Sequence, residues 1–193
     1  AFLILVAYYG TEAYAAYGIG VQILSFSFVI GFGFSIAGAT LVGQHLGAKN
    51  TDQAKRAGWG AMRLSIISMT FFGIIITIFA EPLARFMIDN DEVVRLTVIF
   101  IWLLGSMQPL MAIEFSLGGA LRGAGDTKTP LAITLTCLLF IRVFLAVIFF
   151  LLDARIEVIF STLVADYVVK GFLYVARFKS DKWMSALKSK EAV

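Results

Sequence analysis

The chain has 193 residues, of which 60% are hydrophobic and 15% charged, and its mean hydropathy is +0.88. Soluble domains are about half apolar and about a quarter charged, so this composition argues against a soluble enzyme, a disordered tail and a nucleic-acid-binding domain. A single cysteine, Cys137, and a single histidine, His45, argue against an internal disulfide and a Cys/His metal centre. The sequence predicts an all-α, polytopic transmembrane helix bundle.

Five stretches are long and apolar enough to cross a bilayer, which takes about 20 helical residues. In chain order they are the uncharged run Ala13–Ala48, Leu64–Ala80 with a start near Ala57, Leu96–Ile113 continuing to Leu121, Leu131–Leu152 and Ile156–Ala176. The first run exceeds one span, so its surplus is expected to extend past the interface or to form a turn. The stretch 1–9 is apolar but too short to cross, and no initiator methionine precedes it. We interpret it as the end of an earlier helix and the chain as a fragment.

The distribution of Lys and Arg predicts the orientation of the spans, because cytoplasmic loops carry the excess of positive charge. Three basic residues, Arg85, Arg95 and Arg155, lie on one side and Arg142 lies within a span, whereas the remaining twelve lie on the other side. The twelve are Lys49, Lys55, Arg56, Arg63, Arg122, Lys128, Lys170, Arg177, Lys179, Lys182, Lys188 and Lys190. We therefore expect the C-terminal tail, from about residue 178, to be cytoplasmic. The basic pI then reflects topology, and no nucleic-acid partner is expected.

The three prolines predict breaks in the helices. Pro82 follows the second span and should begin an interfacial stretch over 83–88. Pro109 lies within the third span and should bend it, either for shape alone or with a mechanical role. Pro130 is predicted at the first position of the fourth helix, with Thr129 as its N-cap.

Four charges lie inside the predicted spans, and two of them are single charges on neighbouring spans, Glu114 in the third and Arg142 in the fourth. Each would cost several kcal/mol if it faced lipid, so both should face the bundle interior. We predict that they pair with each other. The pair is either a static structural contact or a protonatable, cation-binding carboxylate that Arg142 tunes, and an ionisable residue inside a membrane favours the second interpretation.

The last span carries polar residues along one helical face, at spacings of three or four: Thr162, Asp166, Lys170, Tyr174 and Arg177. This face should turn inward. Asp166 and Lys170 can neutralise each other at i, i+4, which favours a packed structural seam over the lining of a water-filled cavity.

Small residues recur every four positions in the first span, at Gly31, Ser35 and Ala39, with a parallel row at Gly33 and Ala37. We interpret these rows as helix-packing surfaces, because small residues let helix backbones approach closely in a bilayer. The sequence has no Ser/His/Asp set, nucleotide-binding loop or metal-ligand cluster, so we expect neither enzymatic activity nor a cofactor.

Two motifs point beyond this physical class. Gly43-Gln44-His45-Leu46-Gly47-Ala48 resembles the GQ-x-x-GA loop of multidrug and toxic compound extrusion (MATE) transporters, and Leu121–Pro130, which reads LRGAGDTKTP, resembles their LRGAGDT-x-TP loop. The motif positions are Gly43, Gln44, Gly47, Arg122, Gly123, Gly125 and Asp126. Arg142-Val-Phe-Leu-Ala146 is similar to the R-x-P-L-A segment of the next helix, with Phe144 in place of proline.

The resemblance implies the C-terminal six-helix lobe of a twelve-helix protein, in which residues 1–9 end the seventh helix. It implies a plasma-membrane antiporter that exports drugs and organic cations in exchange for H⁺ or Na⁺, with the N-terminal lobe and the lipid bilayer as partners. Many relatives carry an aspartate near the position of Met111, and Glu114, a turn away, is expected to serve instead. Glu114 would couple the ion and Arg142 would tune it. Asp166 with Lys170 would form a second polar element, and Pro109 would contribute a bend.

Two other functions stay open from the sequence. A flippase for lipid-linked saccharides would share the same fold, although it would be expected to line its cavity with more basic residues. A non-transporting assembly or anchoring subunit would instead tolerate apolar replacements of its inward charges.

Overall fold

The computed structural model of the chain describes Val6, Tyr8 and residues 10–152 and 155–185, and these residues form helices without any strand. Helix α1 spans Thr11–Gly47, α2 Thr51–Ile78, α3 Ala80–Met87, α4 Asp91–Ser106 and α5 Gln108–Gly123. A continuous helical segment then comprises α6 (Lys128–Thr136), a π-helical stretch (Cys137–Val143) and α7 (Phe144–Leu151). It is followed by α8 (Ile156–Lys179) and a 3₁₀ turn, Lys182–Ser185.

Within the described ranges, four helical segments are long and apolar enough to cross a membrane: Thr11–Gly47, Thr51–Ile78, Lys128–Leu151 and Ile156–Lys179. Helices α4 and α5 meet the same requirement when they are counted together as one bent span, which gives up to five spans, the number predicted. The surplus of the first span is helix, because α1 continues unbroken for 37 residues. The predicted end of an earlier helix, residues 1–9, lies outside the described residues apart from Val6 and Tyr8, as does the tail over 186–193.

The span formed by α4 and α5, the third in chain order, is bent by 54° next to Pro109, as the sequence predicts. Pro109 occupies the first turn of α5, where its missing N–H interrupts no helical hydrogen bond. Both sides of the break pack against α2. Gly105 lies against the Thr77 side chain, and Gln108 packs where a side chain on Gly73 would stand.

Helices α1 and α5 pack with their backbones in direct contact. A Cβ on Gly119 would overlap the backbone of Ser35, and a Cβ on Gly123 would overlap that of Ala39. One predicted row of small residues therefore does serve helix packing. The parallel row faces away from the described helices, because a Cβ on Gly33 would meet none of their atoms within 4 Å.

Polar side chains fix the starts of several helices. Asn50 Oδ1 accepts a hydrogen bond from Gln53 N at 3.1 Å, and Asn90 Oδ1 accepts from the first turn of α4. The predicted N-cap at Thr129 is wrong, because α6 already begins at Lys128 and Asp126 Oδ1 accepts from Thr129 N at 3.2 Å. A carboxylate at a helix N-terminus satisfies exposed N–H groups and the helix dipole together.

The apolar core has two large clusters at opposite ends of the helices. One surrounds Phe100 and Phe160, and the other surrounds Leu117, Phe178 and Trp183. A thin layer of Met69, Met111 and Ala112 lies between them. The buried charges lie near this layer, since Glu114 follows Met111 by one turn of α5.

Candidate functional site

Three charged side chains from two helices meet inside the bundle. Lys170 Nζ on α8 lies 2.9 Å from Asp166 Oδ2 and 3.6 Å from Glu114 Oε1 on α5. The side chain of Asp166 is fully buried, that of Lys170 is 6% exposed and that of Glu114 is 21% exposed. The predicted i, i+4 pair on α8 is therefore present, and Glu114 joins it.

The ammonium group of Lys170 has an aromatic neighbour as well. Its Nζ lies over the ring of Tyr167, 5.3 Å from the ring centroid, within the range of a cation–π contact. Lys170 thus has two carboxylates and one aromatic face as neighbours. With two acids and one base, the cluster of Glu114, Asp166 and Lys170 carries one net negative charge when all three are ionised.

Asp166 keeps unused acceptor capacity although it is buried. Its Oδ2 lies within hydrogen-bond distance of Lys170 Nζ, but the angle between the two groups is unsuitable for a hydrogen bond. Neither oxygen of Asp166 accepts a hydrogen bond from any described residue. An ionised carboxylate has about four lone-pair sites, and buried polar atoms normally have partners. The cluster can therefore accept a proton or a small cation by its chemistry.

The predicted pairing of Glu114 with Arg142 is wrong. Glu114 pairs with Lys170, because α5 and α8 pack directly and present these side chains to each other. Arg142 lies in the π-helical stretch of the fourth span, and its Nη2 donates to Tyr17 Oη on α1 at 3.5 Å. Tyr17 and Tyr167 are site residues that the sequence analysis missed, since aromatic residues are too common in these spans to stand out.

The polar stripe on α8 faces inward as predicted. Thr162, Asp166, Lys170 and Tyr174 are all buried. Arg177, at the C-terminal end of the stripe, makes two hydrogen bonds of 2.9 Å and 2.6 Å to Asp126 Oδ2. The stripe is thus self-paired at its centre and tied to the LRGAGDT motif at its end.

The LRGAGDT motif forms the turn between α5 and α6. Gly125 adopts φ +82°, a conformation that favours glycine, and Arg122 Nη2 donates to Ser35 Oγ at 3.0 Å. Burial opposes ionisation of Asp126, but hydrogen bonds from Arg177 and Thr129 outweigh it and lower the pKa of this carboxyl below its usual value. Asp126 therefore holds the turn to both α6 and α8.

The GQ motif lies in the last turns of α1 rather than in a loop. Gln44 O accepts from Ala48 N at 3.0 Å, and Gly47 is the final helical residue. A Cβ on Gly43 would stand 3.0 Å from Gly123 O, so the two motifs meet across the α1–α5 contact. Their geometry serves the close packing of these helices.

Together, five apolar spans, a broken helix and a buried charge cluster define a polytopic α-helical membrane protein. The chain belongs to the MatE family, whose family model matches residues 1–148. It is 35% identical over 183 residues to the probable multidrug resistance protein NorM of Thermotoga maritima, a match that covers 90% of this chain and 38% of that protein. The NorM protein of Mannheimia succiniciproducens is 31% identical over 66% of this chain and 28% of its own length.

Two solved structures share the fold. A MATE structure in the bent conformation matches with a TM-score of 0.80 at 18% identity, over 94% of this chain and 41% of that one. A MOP superfamily transporter from Pyrococcus furiosus, described as having a binding pocket of reversed polarity, matches with a TM-score of 0.78 at 20% identity. That match covers 90% of this chain and 38% of the other. The chain thus spans about two fifths of the length of the Thermotoga relative and of the two solved structures.

Proposed function

We propose that this chain is the C-terminal half of a cation-coupled antiporter that exports organic cations across the plasma membrane. The observation that carries the proposal is the position of Lys170, whose ammonium group lies between the carboxylates of Asp166 and Glu114 on two different helices. Its remaining partners would be the bilayer and an N-terminal lobe. The names of the Thermotoga and Mannheimia relatives support multidrug export as the activity.

Glu114 is the exchangeable carboxylate in this proposal. It is farther from Lys170 than Asp166 is, 3.6 Å against 2.9 Å, and its side chain is more exposed, 21% against 0%. A proton or Na⁺ can therefore reach Glu114 while Asp166 keeps the lysine in place. The excess negative charge of the cluster favours an entering cation.

Coupling follows from competition between Lys170 and the entering cation for Glu114. When Glu114 is ionised and unoccupied, the ammonium group attracts it and holds α5 against α8. When a cation occupies Glu114, that attraction is lost and Lys170 stays with Asp166 alone. A ligand shifts a conformational equilibrium by its differential affinity for the two states, and this exchange supplies such a difference at the contact between α5 and α8.

Arg142 was expected to tune Glu114, but in this proposal it has a positioning role instead. Its contact with Tyr17 on α1 ties the fourth span to the first. The π-helical stretch in which it lies is a type of distortion that is frequent at functional sites. We assign to Arg142 the positioning of this wall of the lobe.

The decisive experiment replaces Glu114 in the full-length protein, reconstituted in vesicles with an imposed H⁺ or Na⁺ gradient. Glu114→Gln keeps the shape and removes the charge, so gradient-driven efflux of a fluorescent organic cation should fall at least tenfold. The matched control is Glu12→Gln, because Glu12 is exposed at the start of α1 and its hydrogen bond comes from the neighbouring Thr11. Efflux by Glu114→Gln at the control rate, with unchanged ion dependence, would refute the proposal.

A further inference from the structure

A cleft of about 540 Å³ lies at the cytoplasmic end of α2, away from the charge cluster. It is lined by Asp52, Lys55, Arg56, Trp59, Gly60 and Arg63. A Cβ on Gly60 would meet nothing within 4 Å, so the middle of the cleft is open. Three cations and one anion give the lining a net positive charge.

Two of these cations are available to bind a ligand. Lys55 Nζ already contacts Asp181 Oδ2 at 2.6 Å. Arg56 and Arg63, in contrast, make no ion pair or side-chain hydrogen bond with any of the residues that the structure describes. Guanidinium groups bind phosphate oxygens through paired N–H donors, and two such groups here flank an indole ring.

The same face of α2 continues as an apolar surface into the bilayer. Arg56, Gly60 and Arg63 are followed at spacings of three or four by Ile67, Phe71, Ile74 and Ile78, which are 66%, 60%, 53% and 70% exposed. This alignment matches an amphiphile, because the polar end would meet the arginines and the apolar chain would follow the stripe. A free anion would make no use of the apolar part.

We propose that this face of α2 binds an anionic phospholipid of the cytoplasmic leaflet, whose headgroup phosphate lies between Arg56 and Arg63 and whose acyl chain packs along Ile67 and Phe71. The two arginines are seven residues apart, roughly 10 Å along the helix axis, a distance that two long side chains can close onto one headgroup. Basic pockets at the cytoplasmic side of membrane proteins recognise such headgroups. Trp59 adds an indole ring at the level where tryptophan is enriched.

Trp59 also provides a reporter, because its ring is fixed in place. It packs edge-on against Phe178 with centroids 5.3 Å apart, and Phe178 stacks on the fully buried Trp183 at 4.6 Å. Bromine atoms on a lipid chain quench tryptophan fluorescence at contact distance. The signal of Trp59 is obtained by subtracting that of the variant Trp59→Phe.

The test uses full-length protein in vesicles that contain brominated phosphatidylglycerol or brominated phosphatidylethanolamine at equal mole fraction. Trp59 should be quenched more by the anionic lipid, with an apparent affinity ratio of at least fivefold. Removing one guanidinium should lower the affinity for the anionic lipid about fivefold. Arg56→Gln/Arg63→Gln should therefore abolish the preference, whereas Lys49→Gln/Lys128→Gln, which removes two cytoplasmic charges outside the cleft, should keep it.

Gly60→Leu is a second variant, which fills the cleft without changing its charge and should reduce quenching by both lipids. Several results would overturn the proposal. One is equal quenching by the two lipids, and another is an unchanged preference in the double arginine variant. A third is absence of quenching by either lipid, because another part of the full-length protein would then cover this face. Reversal of the preference by inorganic phosphate in solution would also overturn it, by showing a simple anion site.

Discussion

At the scale of single residues, the arrangement of Lys170 makes the buried cluster depend on charge balance. Bringing ions into a low-dielectric interior costs several kcal/mol each, and their mutual attraction offsets this only when every charge keeps its counterion. Here Lys170 is the partner of Asp166 and of Glu114. Its removal should leave the buried Asp166 and the partly exposed Glu114 without a counterion.

We predict that Lys170→Met destabilises the protein by about 3–5 kcal/mol, because it leaves uncompensated buried charge. The double variant Asp166→Asn/Lys170→Met should recover part of that loss, because only Glu114, whose side chain is partly exposed, is then left without its counterion. Denaturant unfolding of the purified protein in detergent would measure both values. Equal destabilisation of the single and double variants would mean that packing, not charge, determines the cost.

The identity of the charged residues could be predicted from the sequence, but their pairing could not. Asp166 and Lys170 share a helix, so their contact follows from the period of the α-helix. The partner of Glu114 depends on which helix lies beside α5 and how it is rotated. Sequence spacing within one helix contains no information on that rotation, and the prediction that Glu114 pairs with Arg142 was therefore wrong.

At the scale of helices, the contact between α1 and α5 depends on the absence of side chains at two positions. Gly119 and Gly123 lie against the backbone of Ser35 and Ala39. Without a hydrophobic driving force between helices in lipid, close van der Waals contact provides much of their association. The LRGAGDT motif supplies the second of these glycines and then turns the chain at Gly125.

We predict that Gly123→Ala destabilises the protein by about 1–3 kcal/mol, because the added methyl group would force α1 and α5 apart. Gly33→Ala is the matched control, since a Cβ there would meet nothing within 4 Å and alanine favours a helix by about 0.5–1 kcal/mol. Thermal unfolding followed by size-exclusion chromatography in detergent would compare them. A larger loss for Gly33→Ala than for Gly123→Ala would contradict this packing.

The helix limits illustrate where sequence patterns succeed and fail. Apolar length located all five spans, and Pro109 located the bend, because both signals are local. The start of α6 at Lys128, in contrast, depends on the carboxylate of Asp126. This carboxylate also binds Arg177, which lies 51 residues further along the chain. Likewise, the rows beginning at Gly31 and Gly33 both consist of small residues, and only the position of α5 decides which of them is buried.

At the scale of the whole molecule, orientation links the proposals made above. The antiporter and the lipid site both require the α1–α2 and α5–α6 turns to face the cytoplasm. The structure places these turns and the C-terminal Trp183 at one end of the bundle, where Lys55 joins Asp181 and Arg177 joins Asp126. At the opposite end, Arg85 in α3 pairs with Glu81 and with Asp91, the first residue of α4.

The final prediction tests this orientation with single cysteines in the full-length protein, after Cys137 and any other native cysteine are replaced by alanine. Asp52 and Asp89 are both exposed, one at the start of α2 and one just before α4. Because positive charge is retained in the cytoplasm, Asp89→Cys should react with a membrane-impermeant maleimide in intact cells. Asp52→Cys should react only after the cells are permeabilised.

The two variants differ only in the position of the cysteine, so each is the control of the other. The reverse pattern would place Arg56 and Arg63 at the outer leaflet and would contradict both the topology and the cytoplasmic lipid site. Equal labelling of the two cysteines in intact cells would mean that the loops do not lie on opposite sides of the membrane. The predicted pattern would place the turn at Asp126, which follows the helix that carries Glu114, on the cytoplasmic side.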